Sequence, residues 1–73
     1  MDWKTLSSSL IDSAAWDEDS RTLYVQFHQG RKYAYQGVDA RTAERLFYAP
    51  SAGKHFHKSI SPYYDGLEIT EEE

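Results

Sequence analysis

RTLYVQFHQGRKYAYQG, residues 21–37, decides the fold. In RTLYVQFH, Leu23, Val25 and Phe27 alternate with Tyr24, Gln26 and His28. Strict period-two alternation of β-branched and aromatic residues predicts a half-buried strand over 21–28. Gln29-Gly30 supplies the turn, with Gly30 free to take positive φ. RKYAYQG, 31–37, returns as a second strand that Gly37 ends. The register has two solutions. A two-residue loop sets Tyr33 and Tyr35 beside Gln26 and Tyr24. A three-residue loop slips the pairing by one and sets both tyrosines beside Phe27 and Val25. That single residue decides whether the tyrosines are core or surface.

Upstream, LIDSAAW at 10–16 reads as a strand carrying a bulge, and Asp17-Glu18-Asp19-Ser20 as the turn after it. Downstream, the period changes. Asp39 is a candidate N-cap, and Ala43, Leu46 and Phe47 share one helical face. Pro50 ends that helix. Ser51 is the expected cap of a second helix, whose buried stripe is Ala52, Phe56 and Ile60. The expected fold is α+β: a three-stranded antiparallel meander (10–17, 21–28, 31–37) with two helices (39–49, 52–60) on one face. The expected core is Ile11, Ala14, Trp16, Leu23, Val25, Phe27, Leu46, Phe47, Phe56 and Ile60, with Tyr33 and Tyr35 joining it in the slipped register. Residues 1–8 read as a polar lead-in, 9–64 as the domain, and 65–73 as an acidic, mobile tail.

At 73 residues there is room for one domain. The absence of cysteine excludes disulfides, thiol catalysis and Cys-ligated metal. No apolar run reaches the ~20 residues of a membrane span, and residues 1–15 lack the apolar stretch of a signal peptide. The expected setting is the cytoplasm. Charge is segregated. Lys4 faces five carboxylates in residues 1–20, for a net −4. Residues 21–60 set seven cations against Asp39 and Glu44, for a net +5, and hold all three histidines. Residues 61–73 carry five carboxylates and no base. A basic middle can form an anion-binding face.

Ser9 with Ile11, Trp16-Asp17, the LYVQF strand, Gly30, Tyr33 and Tyr35, Gly37-Val38, and APSAGKHF at 49–56 stand in an order that resembles the KTSC domain. That family occurs alone in bacterial proteins and at the C-terminus of some lysyl-tRNA synthetases. The resemblance covers roughly residues 8–64. Trp16 stands where the family has tyrosine, and Asp39 where proline is common. The company of a synthetase implies RNA binding.

The chemistry-bearing residues give three candidates. Ser51, Gly53 and Lys54 open the second helix. They are not a P-loop, since Tyr48 and His55 occupy the positions that need Gly and Ser/Thr, but such a terminus can hold an anion. His55 and His57 lie about 200° apart on a helix and cannot share a metal. They read as surface imidazoles beside Lys54 and Lys58. Tyr33, Tyr35 and Tyr24, with Arg31 and Lys32 beside them, could form a stacking platform for bases, against a plain core role. No constellation for catalysis is present, and no cofactor is expected. The leading reading is a non-enzymatic module binding RNA or another polyanion. The second is a protein-interaction module using Tyr48, Tyr63 and Tyr64.

Overall fold

The computed structural model describes residues 2–70. Five strands form one antiparallel sheet in chain order: β1 (Lys4–Thr5), β2 (Ile11–Asp17), β3 (Thr22–Phe27), β4 (Lys32–Gln36) and β5 (Gly66–Ile69). Helices α1 (Ala40–Phe47) and α2 (Ala52–Ser59) stand between β4 and β5 in sequence. The expected three strands are the centre of this sheet, and an edge strand is added on each side.

The hairpin has the three-residue loop that turns both tyrosines to the apolar side. Their partners are not the expected Phe27 and Val25 but lie one position further along that face: Val25 pairs with Tyr33 and Leu23 with Tyr35. The loop is His28-Gln29-Gly30, closed by the Phe27 amide on the Arg31 carbonyl at 2.9 Å and by the Gly30 amide on the Phe27 carbonyl at 2.9 Å. Gly30 sits at φ +107°, the left-handed position that a three-residue hairpin loop requires. Both tyrosines therefore face the same side as Leu23, Val25 and Phe27.

β2 carries the expected bulge. Ile11 pairs with Phe27 but Ser13 pairs with Gln26, so Asp12 is the extra residue. The bulge lets Ile11 and Ala14, three apart, face the same side, and both are fully buried. Trp16 follows on that side, half-buried, and its indole N–H donates to the Val38 carbonyl at 2.9 Å. This bond fastens the β4–α1 connection to the sheet.

The helices cover this face. Asp39 caps α1, accepting from the Thr42 amide at 2.8 Å. Hydrogen bonds from the Thr42 side chain and amide, with Arg21 and Arg41 nearby, hold its carboxyl below the usual carboxylate range. Ala43 and Leu46 from α1 and Ala52 and Phe56 from α2 enter one core with Ile11, Leu23, Val25, Phe27, Tyr35, Val38 and Ile60. The Phe56 ring meets Phe27 at 5.4 Å and Tyr35 at 5.5 Å, both edge-to-face. Of the expected core, Trp16, Phe47 and Tyr33 are only partly buried at its margin. Leu6 and Val38 are core residues that no periodic run announced.

Two boundaries differ from the sequence reading. The lead-in 1–8 supplies β1 and the buried Leu6. A two-residue strand is too short to show alternation, and it is held by pairing Lys4 with Ala14 and Thr5 with Ser13. The acidic tail begins with β5, paired along β4 from Tyr35–Gly66 to Lys32–Ile69. Leu67 and Ile69 do alternate with Gly66 and Glu68, but the surrounding carboxylates hide the pattern. Residues 71–73 of the expected tail lie outside the described residues.

Gly66 is required by contact. A Cβ there would stand 2.7 Å from Cε1 and 2.9 Å from Cζ of Tyr35. The Tyr35 ring thus lies over the glycine of the neighbouring strand and fills the space it leaves. Gly66→Ala should force the ring off its position between β5 and Phe56, lowering stability by about 1–3 kcal/mol. Chemical denaturation checks this. An unchanged midpoint would mean that the ring is not held there.

Candidate nucleic-acid interface

Alternation fixes what the helix-covered face leaves for the other. On β2, β3 and β4, Ala15, Tyr24 and Ala34 point away from the helices and pair across the sheet in one row, continued by Leu67 on β5. A second row is Thr5, Ser13, Gln26, Lys32 and Ile69, and a third is Asp17, Thr22 and Gln36. Trp3, one residue before Lys4, falls on this side too. Its ring lies 6.4 Å from Tyr24, and the Lys32 Nζ stands 5.4 Å from the ring centroid, within cation–π range. Trp3 keeps 39% of its surface in solvent. Both helices pack on the opposite face, so among the described residues no helix covers these rings. Of the strand residues on this face, Asp17 carries a carboxylate, and it is engaged in its own turn. It accepts from the Asp19 amide at 3.1 Å and from the Ser20 hydroxyl at 3.0 Å.

The face therefore offers two aromatic rings, an ammonium beside one of them, and the amides of Gln26 and Gln36 on either side of the aromatic row. Such a surface can stack bases, reach their edges and neutralise phosphate.

The candidate residues read from sequence are divided between places. Lys32 and Tyr24 stand on this open face. Tyr35 does not. It is buried, 6% exposed, and burial, with Tyr33 adding to it, raises its phenol above the ordinary value. Tyr33 stacks on Tyr35 at 6.4 Å and meets Phe27 edge-on at 5.7 Å. The Tyr-x-Tyr pair is thus core and core margin rather than a platform, because the three-residue loop turned it inward. Arg31 stands at the sheet margin, 3.8 Å from a Glu68 carboxylate oxygen.

Ser51, Gly53, Lys54 and Lys58 lie in the helical layer, on the far side of the sheet from Lys32. Ser51 occupies the N-cap position, but its side chain makes no cap hydrogen bond. The α2 terminus faces the serine run across an open hollow of about 410 Å³ lined by Ser7, Ser9, Lys54 and His57 among others. Gly53 serves packing there, since a Cβ would come within 3.3 Å of Ser8 Oγ and 3.4 Å of Leu10 Cβ. His55 is not the surface imidazole expected. Its Nε2 is buried and has no hydrogen-bond partner among the described residues. His28, on the β3–β4 loop, holds the serine run instead, with Nε2 2.7 Å from the Ser8 carbonyl and Nδ1 3.6 Å from Asp12. Among the described residues, no three His, Asp or Glu side chains gather as a metal site. No helix among them is long and apolar enough to cross a membrane.

Trp3 is the functional candidate that sequence reading missed. Its signal lies outside any periodic run, in a lead-in whose register only β1 reveals.

Known proteins place this architecture. A crystal structure of a KTSC domain protein from Yersinia pestis superposes with a TM-score of 0.87 at 34% identity, over 94% of this chain and 97% of that one. An uncharacterized protein of Stutzerimonas stutzeri is 32% identical over 59 residues, 81% of this chain and 83% of its own length. A lysine–tRNA ligase of Nostoc punctiforme is 36% identical over 52 residues, which are 71% of this chain but only 9% of that protein. The KTSC domain profile matches residues 7–64, from the serine run to Tyr64. The chain belongs to the KTSC domain family.

Proposed function

We propose that this domain is a non-enzymatic, cytoplasmic binding module for RNA, acting through the uncovered face of its sheet. The observation that carries the reading is the Lys32 ammonium 5.4 Å from the Trp3 ring, with Tyr24 alongside, on the face opposite the helices. Stacking needs exposed rings and phosphate needs a cation, and this face brings both together. The similar segment in a lysine–tRNA ligase, a protein named for tRNA, supports the same reading. The hollow at the start of α2 offers donors, Lys54 and the His57 imidazole but no Trp, Tyr or Phe ring, so it suits phosphate better than a stacked base.

The reading separates the cations. In anisotropy titrations of labelled single-stranded RNA, Lys32→Glu should weaken binding and reduce the salt slope by about one. Lys54→Glu with Lys58→Glu, on the outer side of α2, should change affinity by less than about twofold, as surface charges beyond a Debye length are screened. The reverse pattern would move the interface to the helices. Absence of RNA binding at low salt would overturn the reading.

A second reading has its own observation. Tyr48 and Tyr63 are 79% and 76% exposed, and Tyr48 borders an apolar cleft of about 290 Å³ with Trp16, Ala43 and Phe47. Tyr64, by contrast, packs against the core. Binding of a protein there would change little with salt.

A further inference from the structure

A recess opens on the uncovered face between β3 and β5. The row Tyr24–Ala34–Leu67 is large, small, large, so the β4 position lies low between its neighbours. Ala34 is the floor of a hollow of about 480 Å³ whose other walls include Gln36, Tyr63, Asp65 and Leu67. Leu67 and Tyr63 are 66% and 76% exposed, so two large apolar surfaces stand at its sides with little else covering them. Gln36 and Asp65 are exposed at its rim. Besides the phenol hydroxyls of Tyr63 and Tyr64 in the lining, the polar groups at the rim are a carboxylate, which only accepts hydrogen bonds when ionised, and an amide, which both donates and accepts.

This combination selects among ligands. The carboxylate repels phosphate, so the backbone of a nucleic acid belongs with Lys32 on the neighbouring row and not here. The apolar walls suit a flat, uncharged ring. The carboxylate favours a ring edge with adjacent N–H donors. Guanine has that edge, with N1–H and the N2 amino group side by side, and its O6 can take the Gln36 amide. Uracil sets two carbonyl oxygens around a single N–H, which an aspartate opposes. Adenine and cytosine each offer an amino group next to a bare ring nitrogen, which is half of the pattern.

We infer that the hollow over Ala34 is a base pocket for guanine, read by Asp65 and Gln36, while the strand's neighbouring base and phosphate engage Trp3, Tyr24 and Lys32. The inference rests on the RNA-binding reading of this face and names the base that reading leaves open. The pocket needs an unpaired base, because pairing would hide the edge that Asp65 reads.

The test compares the pentanucleotides UUGUU, UUIUU and UUUUU, where I is inosine, which keeps N1–H and O6 but lacks the N2 amino group. The wild-type domain should bind UUGUU about tenfold more tightly than UUUUU, with UUIUU between them, in line with one good bidentate base contact. Asp65→Asn should abolish most of the preference while leaving affinity for UUUUU unchanged or slightly higher. Asp65 is exposed in the turn before β5, so this variant should melt as the wild type does. Equal binding of UUGUU and UUUUU, or a preference that survives in Asp65→Asn, would overturn the guanine pocket and leave the RNA reading standing. Failure to bind any of the three at low salt would overturn both.

Discussion

Phe56→Ala should leave the protein largely unfolded. Phe56 is 4% exposed and is the one ring from the helical layer that meets both Phe27 and Tyr35 of the sheet. Truncating a buried phenylalanine costs about 3–5 kcal/mol. A 73-residue domain has little more than that to lose, since chains of this size bury only about 60% of their unfolded surface. The cost should be near the upper end, because the sheet cannot collapse into the void without releasing Tyr35 from its position over Gly66. A dispersed amide spectrum and a cooperative melt close to that of the wild type would show that α2 contributes far less than this packing implies.

Trp3→Ala and Tyr24→Ala should have the opposite profile, with large losses of RNA affinity and small losses of stability. Removing one aromatic ring beneath a stacked base costs about 1–3 kcal/mol of binding, roughly tenfold in affinity. Trp3 stands outside the core cluster, just before the two-residue edge strand, and Tyr24 lies half-buried on the face away from the helices. Neither ring is packed by α1 or α2, so thermal melts should move by only a few degrees. Tyr35→Ala is the control. It should lose stability first, as its ring is enclosed by Phe56, Tyr33 and the Gly66 backbone. If Tyr35→Ala instead lost binding while keeping its melting temperature, the inward register of the hairpin would be wrong.

The centre of the fold was legible because its periodicities are clean. Leu23, Val25 and Phe27 alternate without a break, and Ala52, Phe56 and Ile60 repeat every four residues, so β3 and α2 follow from local pattern. The edges were not legible for a physical reason. β1 is two residues long, and β5 is stabilised by pairing with β4 and by Tyr35 closing over Gly66, which are contacts across 30 residues of sequence. Ala34 and Ala15 say nothing alone about which face they occupy. The candidate site was half legible for the same reason. The phase of Tyr24 followed from the alternation of β3, whereas the places of Lys32, Tyr33 and Tyr35 all hung on a one-residue difference in loop length that composition does not decide. Val38 became core because the Trp16 indole draws the β4–α1 connection inward. His55 lies off the Ala52, Phe56 and Ile60 stripe and is still half-buried with its Nε2 enclosed, which a four-residue repeat alone does not announce.

The chain has two tryptophans, and they lie on opposite faces of the sheet. Trp16 faces the helices, with its indole N–H bonded to the Val38 carbonyl, and Trp3 lies on the open face beside Tyr24 and Lys32. Their two indole N–H resonances therefore report on the two sides of the sheet in one spectrum. On titration with a short single-stranded RNA at low salt, the Trp3 indole signal should shift or broaden, together with the side-chain amides of Gln26 and Gln36, while the Trp16 signal stays in place. Movement of the Trp16 signal with a stationary Trp3 signal, or shifts confined to α2, would contradict an interface on the uncovered face of the sheet.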